Sequence, residues 1–310
     1  MKKNLSVVVI SLTPFDEQGR LDEVALRRQF GRLRDAGCSV YAAGSGSSEG
    51  YSLTTVERDR VLAIAVEELK GKVQVRAMGC EPRQASEMVS FLQAAERSGV
   101  DAAQIFSLEI GHGAKPTPAE MDQYYSTAIG STSLPVYLSS HQAAGYFLPL
   151  DLVERMVKRF PNVAGIAYGG TDTTYLADLI ARVGDRIEVH CAGPGMALTT
   201  LGLGGNGFMG GEGNLSPALV ASVINAFGAR DYDQVRESYS KLMLFTAVNN
   251  KYGGSSMRAM KPLMNALGLP GGMLRPPRLP ISGADLEEVV KAVLRIQIPG
   301  LPAPIAAGRK

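Results

Sequence analysis

The 310-residue chain contains no tryptophan, only three cysteines and only three histidines, and its 32 basic and 30 acidic residues nearly cancel to a formal net charge of +2. That balance, without basic runs, gives no electrostatic footprint for nucleic acid or an anionic membrane surface as partner. Cys38, Cys80 and Cys191 are odd in number, far apart and outside any CxxC spacing, so no disulfide or cysteine-metal framework is expected and the thiols read as reduced and mostly buried. A metal site would need His112, His141, Glu109 or Glu212 to converge from separate segments, and no ligand-spacing motif supports that. Neither a metal nor another cofactor is expected. Long apolar runs are missing too. The stretch 7–12 behind Met1-Lys2-Lys3 is too short for a signal sequence and meets Thr13-Pro14-Phe15-Asp16, and nothing later is long enough to span a bilayer. A cytoplasmic protein handling small molecules is the expectation.

What is present is ample material for a core: 45% of residues are hydrophobic and 20% charged. Short β-branched runs at 7–11, 39–43, 73–78, 102–106, 135–138, 163–167, 187–191 and 207–209 alternate with amphipathic segments such as 21–36, 54–69 and 84–98. This alternation is the mark of βα units on a parallel sheet, and eight such runs fit a closed (β/α)8 TIM barrel. Thr54-Thr55-Val56-Glu57 and Thr117-Pro118-Ala119-Glu120 read as capped helix starts. After 216–229 the alternation stops, and 232–250, 256–267 and 284–296 read as consecutive helices. The expected organisation is a barrel over 1–230, a helical extension over 231–298 and a Pro/Ala/Gly-rich flexible tail over 299–310.

A (β/α)8 barrel carries its chemistry at the C-terminal ends of the strands. After the second run, Gly44-Ser45-Gly46-Ser47-Ser48-Glu49-Gly50 offers hydroxyls and backbone N–H groups to a carboxylate or phosphate, or is simply a flexible turn. Tyr137-Leu138-Ser139-Ser140-His141 places a phenol and an imidazole near the axis, although a strand-end tyrosine is often only a packed ring. His190 alternates into a strand and reads as a core residue. The segments 191–195 and 210–214 are glycine-rich, as tight strand-to-helix turns require, and Glu212 in the second of them would repel a phosphate.

In their order, Thr13-Pro14-Phe15-Asp16, Ser47-Ser48-Glu49, Tyr137, Val163-Ala164-Gly165-Ile166, Gly204-Gly205-Asn206-Gly207 and Met260-Lys261-Pro262 with Leu267-Gly268-Leu269 resemble the dihydrodipicolinate synthase and N-acetylneuraminate lyase family over nearly the whole chain. The resemblance implies a class I aldolase-type barrel with a three-helix extension, assembled as a homotetramer of two tight dimers. It also implies a sixth-strand Gly-Ile-Lys whose amine condenses with the keto carbon of pyruvate or a related 2-oxo acid. Here that triplet is Gly165-Ile166-Ala167, and alanine cannot form an imine. Lys115 is the one other lysine placed near the mouth. The family's tyrosine pair after the fourth strand is replaced around Gly111-His112-Gly113, its arginine after the fifth falls near His141 or Gln142, and the first threonine of its carboxylate loop maps to Gly46.

Two functions of different class follow. One is a lysine-independent lyase or dehydratase acting on a small carboxylate or 2-oxo acid, with Tyr137, His141 and Glu212 as the catalytic set and Ser47, Ser48, Ala167, Ala192 and Met209 around the substrate. The other is a non-catalytic binding or scaffold protein that keeps the fold, its mouth filled by Met209, Tyr168 or Leu108.

Overall fold

The computed structural model describes residues 4–142 and 145–304, so the last residues of the expected tail, 305–310, lie outside the described part. Its strands are β1 (Ser6–Ile10), β2 (Ser39–Ala42), β3 (Val75–Met78), β4 (Ala102–Ile105), β5 (Val136–Ser140), β6 (Val163–Tyr168), β7 (Glu188–Ala192) and β8 (Gly207–Gly210). All pair in parallel in sequence order, and β8 returns to β1 to close the barrel. Closure depends on a glycine. At Gly207 (φ 147°) an added Cβ would lie 1.9 Å from the Ser6 carbonyl oxygen, so any side chain there would prise the seam apart.

The helices α1 (Glu23–Asp35), α2 (Thr55–Leu69), α3 (Ala85–Ser98), α4 (Pro118–Ile129), α5 (Leu150–Arg159), α6 (Thr173–Val183), α7 (Ala197–Gly202) and α8 (Pro217–Ala229) return the chain from each strand to the next. Thr54 and Thr117 each close a reciprocal capping box, with Glu57 and Glu120, so the first orphan N–H groups of α2 and α4 are satisfied locally. Leu26, Phe30 and Leu33 of α1, or Leu176, Leu179, Ile180 and Val183 of α6, show how one stripe per helix is buried. Beyond the barrel, α9 (Tyr232–Lys251) packs on α8, and α10 (Met260–Ala266) and α11 (Gly283–Ile296) follow. Among the described residues no helix is long and apolar enough to cross a membrane.

The extension is fastened to the barrel by a buried ion pair. Lys261 on α10 meets the carboxylate of Glu49 from the β2–α2 loop, and both side chains are 1% exposed. The same ammonium donates to the carbonyl oxygens of Thr13 and Met273, each at 2.8 Å, and sits over the Phe15 ring. Burial pushes the Glu49 carboxyl up and pulls Lys261 down to about 8, each effect partly offset by the partner's charge.

The N-terminal half of the barrel interior is filled by a second polar network. Arg76 on β3, 1% exposed, lies 3.8 Å above the Tyr137 ring and reaches Glu188 at 3.1 Å and Gln74 at 2.6 Å. Tyr137 donates its hydroxyl proton to Glu188 at 2.9 Å. The ring needs Gly165 beside it, because a Cβ there would come within 2.4 Å of the ring carbons.

Candidate active site

The strand C-termini open into a cavity of about 430 Å³. Its wall takes Ile10 from β1, Met78 from β3, Gln104 and Phe106 from β4 and its edge, Ser139 and His141 from β5 and its edge, and Ala167 from β6. Ala192 on β7, Met209 on β8 and Glu212 complete the ring, with Ser45 to Ser47 above. One side belongs to the helical extension, which contributes Met243, Thr246, Asn250 and Ser255. The glycines of the mouth make room for its polar side chains. A Cβ at Gly169 would strike the His141 ring at 2.4 Å, one at Gly210 would meet a Glu212 carboxylate oxygen at 2.5 Å, and one at Gly211 would meet Ser47 Oγ at 2.3 Å. These close approaches fix His141 on the β6 side of the mouth and put Glu212 and Ser47 together on the β8 side.

Of the residues expected from the sequence, the structure brings Ser47, His141, Ala167, Ala192, Met209 and Glu212 to one cavity and leaves two outside it. Tyr137 is not at the mouth. The fifth strand runs on to Ser140, so Tyr137 is its second residue, opposite Gly165 rather than Ala167, and its ring belongs to the lower network with Arg76 and Glu188. Burial raises its phenol well above the ordinary tyrosine value, with Arg76 opposing. The inward residue facing Ala167 across the strands is Ser139. Ser48 likewise turns away: its hydroxyl donates to the Ser11 carbonyl at 2.6 Å and closes the loop against β1. Glu49, a candidate for the mouth, is the partner of Lys261, while His112 and Lys115 are exposed on the β4–α4 loop. The mouth is not plugged by Tyr168, whose ring stacks on Tyr175 on the helix side of the wall, with centroids 4.7 Å apart.

The polar atoms of the cavity differ from those below. Ser47 Oγ and Gln104 Oε1 are buried and have no hydrogen-bond partner. Burial raises the Glu212 carboxyl above the usual carboxylate range, against the lowering effect of the Glu212 and Gly211 amides, so a proton is held there at higher pH than on a solvated glutamate. A perturbed acid in a concave pocket is the kind of group that active sites use. Gln104 was not singled out from the sequence. Its signal was there: a lone amide in the otherwise apolar run Ala102-Ala103-Gln104-Ile105, a strand buried on both faces. His190 is buried as expected but only half satisfied, with Nε2 2.9 Å from Ser6 Oγ and Nδ1 without a partner. Its pKa falls to about 3, first through burial and then through the Arg76 charge. Among the described residues no group of three or more His, Cys, Asp or Glu could hold a metal ion.

Residues 3–296 match the model of the Dihydrodipicolinate synthetase family. The chain belongs to that family. Similar family members include a protein named "Probable 5-dehydro-4-deoxyglucarate dehydratase" from Methylobacterium radiotolerans, 27% identical with 91% of this chain and 92% of the relative aligned. A 4-hydroxy-tetrahydrodipicolinate synthase from Methanosarcina mazei is 24% identical over 93% of this chain and 96% of its own. Among solved structures, the 4-hydroxy-tetrahydrodipicolinate synthase of Methylacidiphilum fumariolicum SolV superposes with a TM-score of 0.86 at 20% identity, covering 95% of this chain and 96% of that one. The family match and the shared fold thus span nearly the whole chain.

Proposed function

We propose that this family member is a lyase of the dehydratase kind that works without an imine, on a small 2-oxo acid. The observation that carries the reading is the composition of the cavity: its wall holds Glu212, His141 and unpartnered hydroxyl and amide groups around Ala167, and no lysine among the described residues. The dehydratase name of two relatives, from Methylobacterium radiotolerans and Oceanobacillus iheyensis, supports that branch of the family's chemistry. Open space lined by polar atoms without partners supports an enzyme over a scaffold that had filled its mouth.

A 2-oxo acid does not need an imine for this step, because its own carbonyl acidifies the hydrogens on C3. In the proposed reaction the Glu212 carboxylate takes a C3 proton and the electron pair moves into an enolate on the keto oxygen. The enolate then re-forms the carbonyl as the C4–O bond breaks, and the departing hydroxyl takes a proton from the His141 imidazolium and leaves as water. The product is a 3,4-unsaturated 2-oxo acid, with Glu212 protonated and His141 neutral until solvent restores them. Ser47 Oγ and the first N–H groups of the Gly46–Ser48 turn would hold the substrate carboxylate. Burial of Glu212 strengthens it as a base once deprotonated.

The test is to incubate the protein with 4-hydroxy-2-oxo acids and follow water loss by proton NMR. Turnover in wild type and its loss in Glu212→Gln with binding retained is the expected result; equal turnover in both would remove Glu212 from the chemistry. For the assembly we propose a homotetramer built from two dimers, which light scattering at micromolar concentration checks directly.

A further inference from the structure

Gln104 stands where four facts meet. It is 1% exposed, it lines the cavity, its Oε1 has no hydrogen-bond partner, and its strand neighbours are Met78 on one side and Tyr137 on the other. Nothing in the fold requires an amide at such a place. A methionine or leucine would pack between those neighbours, and a buried acceptor left unpaired is destabilising unless a ligand or water supplies a donor. Nearby, Ser139 is 3% exposed and also faces the cavity, its backbone carbonyl already occupied by the Ser107 hydroxyl while its own hydroxyl remains for a ligand.

The charges around the cavity narrow what that ligand can carry. Its titratable lining residues are Glu81, Glu212 and His141, with no lysine or arginine among the described lining residues. The guanidinium of Arg76, in the barrel interior, is engaged by Gln74 and Glu188. A second carboxylate pressed against Gln104 would be desolvated without a cation. An alkyl end would leave the amide unpaired, and sites built to hydrogen-bond a hydroxyl discriminate strongly against analogues that lack it.

We propose that Gln104 is the specificity-determining residue of this cavity, its amide with Ser139 binding a neutral hydroxyl on the end of the substrate remote from the carboxylate. The cavity therefore takes hydroxylated monocarboxylates in preference to alkyl monocarboxylates or dicarboxylates of the same length. This rests on the reading that Ser47 and its turn hold a carboxylate.

The test uses the full chain and four ligands of equal backbone length: 5-hydroxypentanoate, pentanoate, glutarate and 5-aminopentanoate, titrated by calorimetry or ligand-observed NMR. Wild type should bind 5-hydroxypentanoate about tenfold more tightly than pentanoate, the size of one good buried hydrogen bond, and glutarate more weakly still. Gln104→Leu should erase the hydroxyl preference, and Gln104→Met repeats the measurement should the first variant melt early. A wild-type preference for glutarate or 5-aminopentanoate, equal affinity for the hydroxyl and methyl ends, or a hydroxyl preference that survives both variants would each overturn the assignment. The two readings fail separately. If 1,5-pentanediol binds as well as 5-hydroxypentanoate and loses affinity in Gln104→Leu, the carboxylate reading falls and Gln104 stands. If all four acids bind alike and all weaken in Ser47→Ala, the carboxylate reading stands and Gln104 falls. Failure of every ligand to bind overturns both.

Discussion

The two halves of the barrel interior are built from similar residue types and put them to opposite use. Below, Arg76, Glu188, Gln74 and Tyr137 are joined to one another by hydrogen bonds and a cation resting on a ring. Above, Ser47 Oγ and Gln104 Oε1 are buried with no partner and the Glu212 carboxyl is raised by burial, around a cavity bordered by glycines. A polar group that already has its partners stabilises the fold and has little left to offer a ligand; one held without partners can bind or move protons and costs stability while it waits. The lower half is thus built as a frame and the upper half as the candidate site, a division that substitution can break.

The largest effect is expected in the frame. Glu188→Leu leaves the Arg76 guanidinium buried without its counter-charge, and should lower unfolding free energy by about 3 kcal/mol while ligand affinity at the mouth stays the same; urea titration with the calorimetry above measures both. Glu212→Gln should do the reverse. Turnover should fall by roughly a hundredfold or more, the size of a lost general base, while the urea midpoint holds or rises because a buried carboxyl is replaced by a neutral amide. A midpoint that drops would return Glu212 to the frame.

The acid limb of stability should report His190. Its folded pKa of about 3 lies below the ordinary histidine value of 6.5, so the unfolded chain binds a proton that the native chain refuses. Its contribution is fully present above about 6.5 and is lost as pH falls towards 3. His190→Gln should flatten that slope, and an unchanged slope would mean the imidazole is protonated in place. Glu212 has the other sign: with its folded pKa raised, its contribution is present below the ordinary carboxylate value and lost as pH rises through the folded one. The smallest expected effect is that of Tyr137→Phe, which removes one hydrogen bond to Glu188 and should cost about 1 kcal/mol with turnover unchanged. A large loss of turnover there would contradict the assignment of this tyrosine to the frame.

The strands and the capped helix starts were legible because both are local: β-branched runs of a few residues, and a threonine three positions ahead of a glutamate. A place at the cavity was legible for residues just beyond a strand end, as with His141 after β5 and Glu212 two positions after β8. It was misread where the end of a strand was set by polarity. Ser139 and Ser140 look like a turn, yet in a barrel whose mouth is open the inward serine faces a cavity and the strand runs on, which moves Tyr137 down a layer. The Glu49–Lys261 pair and the wall formed by Thr246 and Asn250 join segments remote in sequence, and no local pattern announces such contacts.

The central claim is that this mouth works without an imine, and trapping tests it most directly. The protein is mixed with pyruvate, reduced with borohydride and weighed intact, beside Ala167→Lys. The account predicts an unchanged mass for wild type and a gain of one reduced pyruvate on the variant, whose new amine would stand opposite Ser139 in the cavity. A reduced pyruvate on the wild-type chain, at Lys115 or any other lysine, would contradict it.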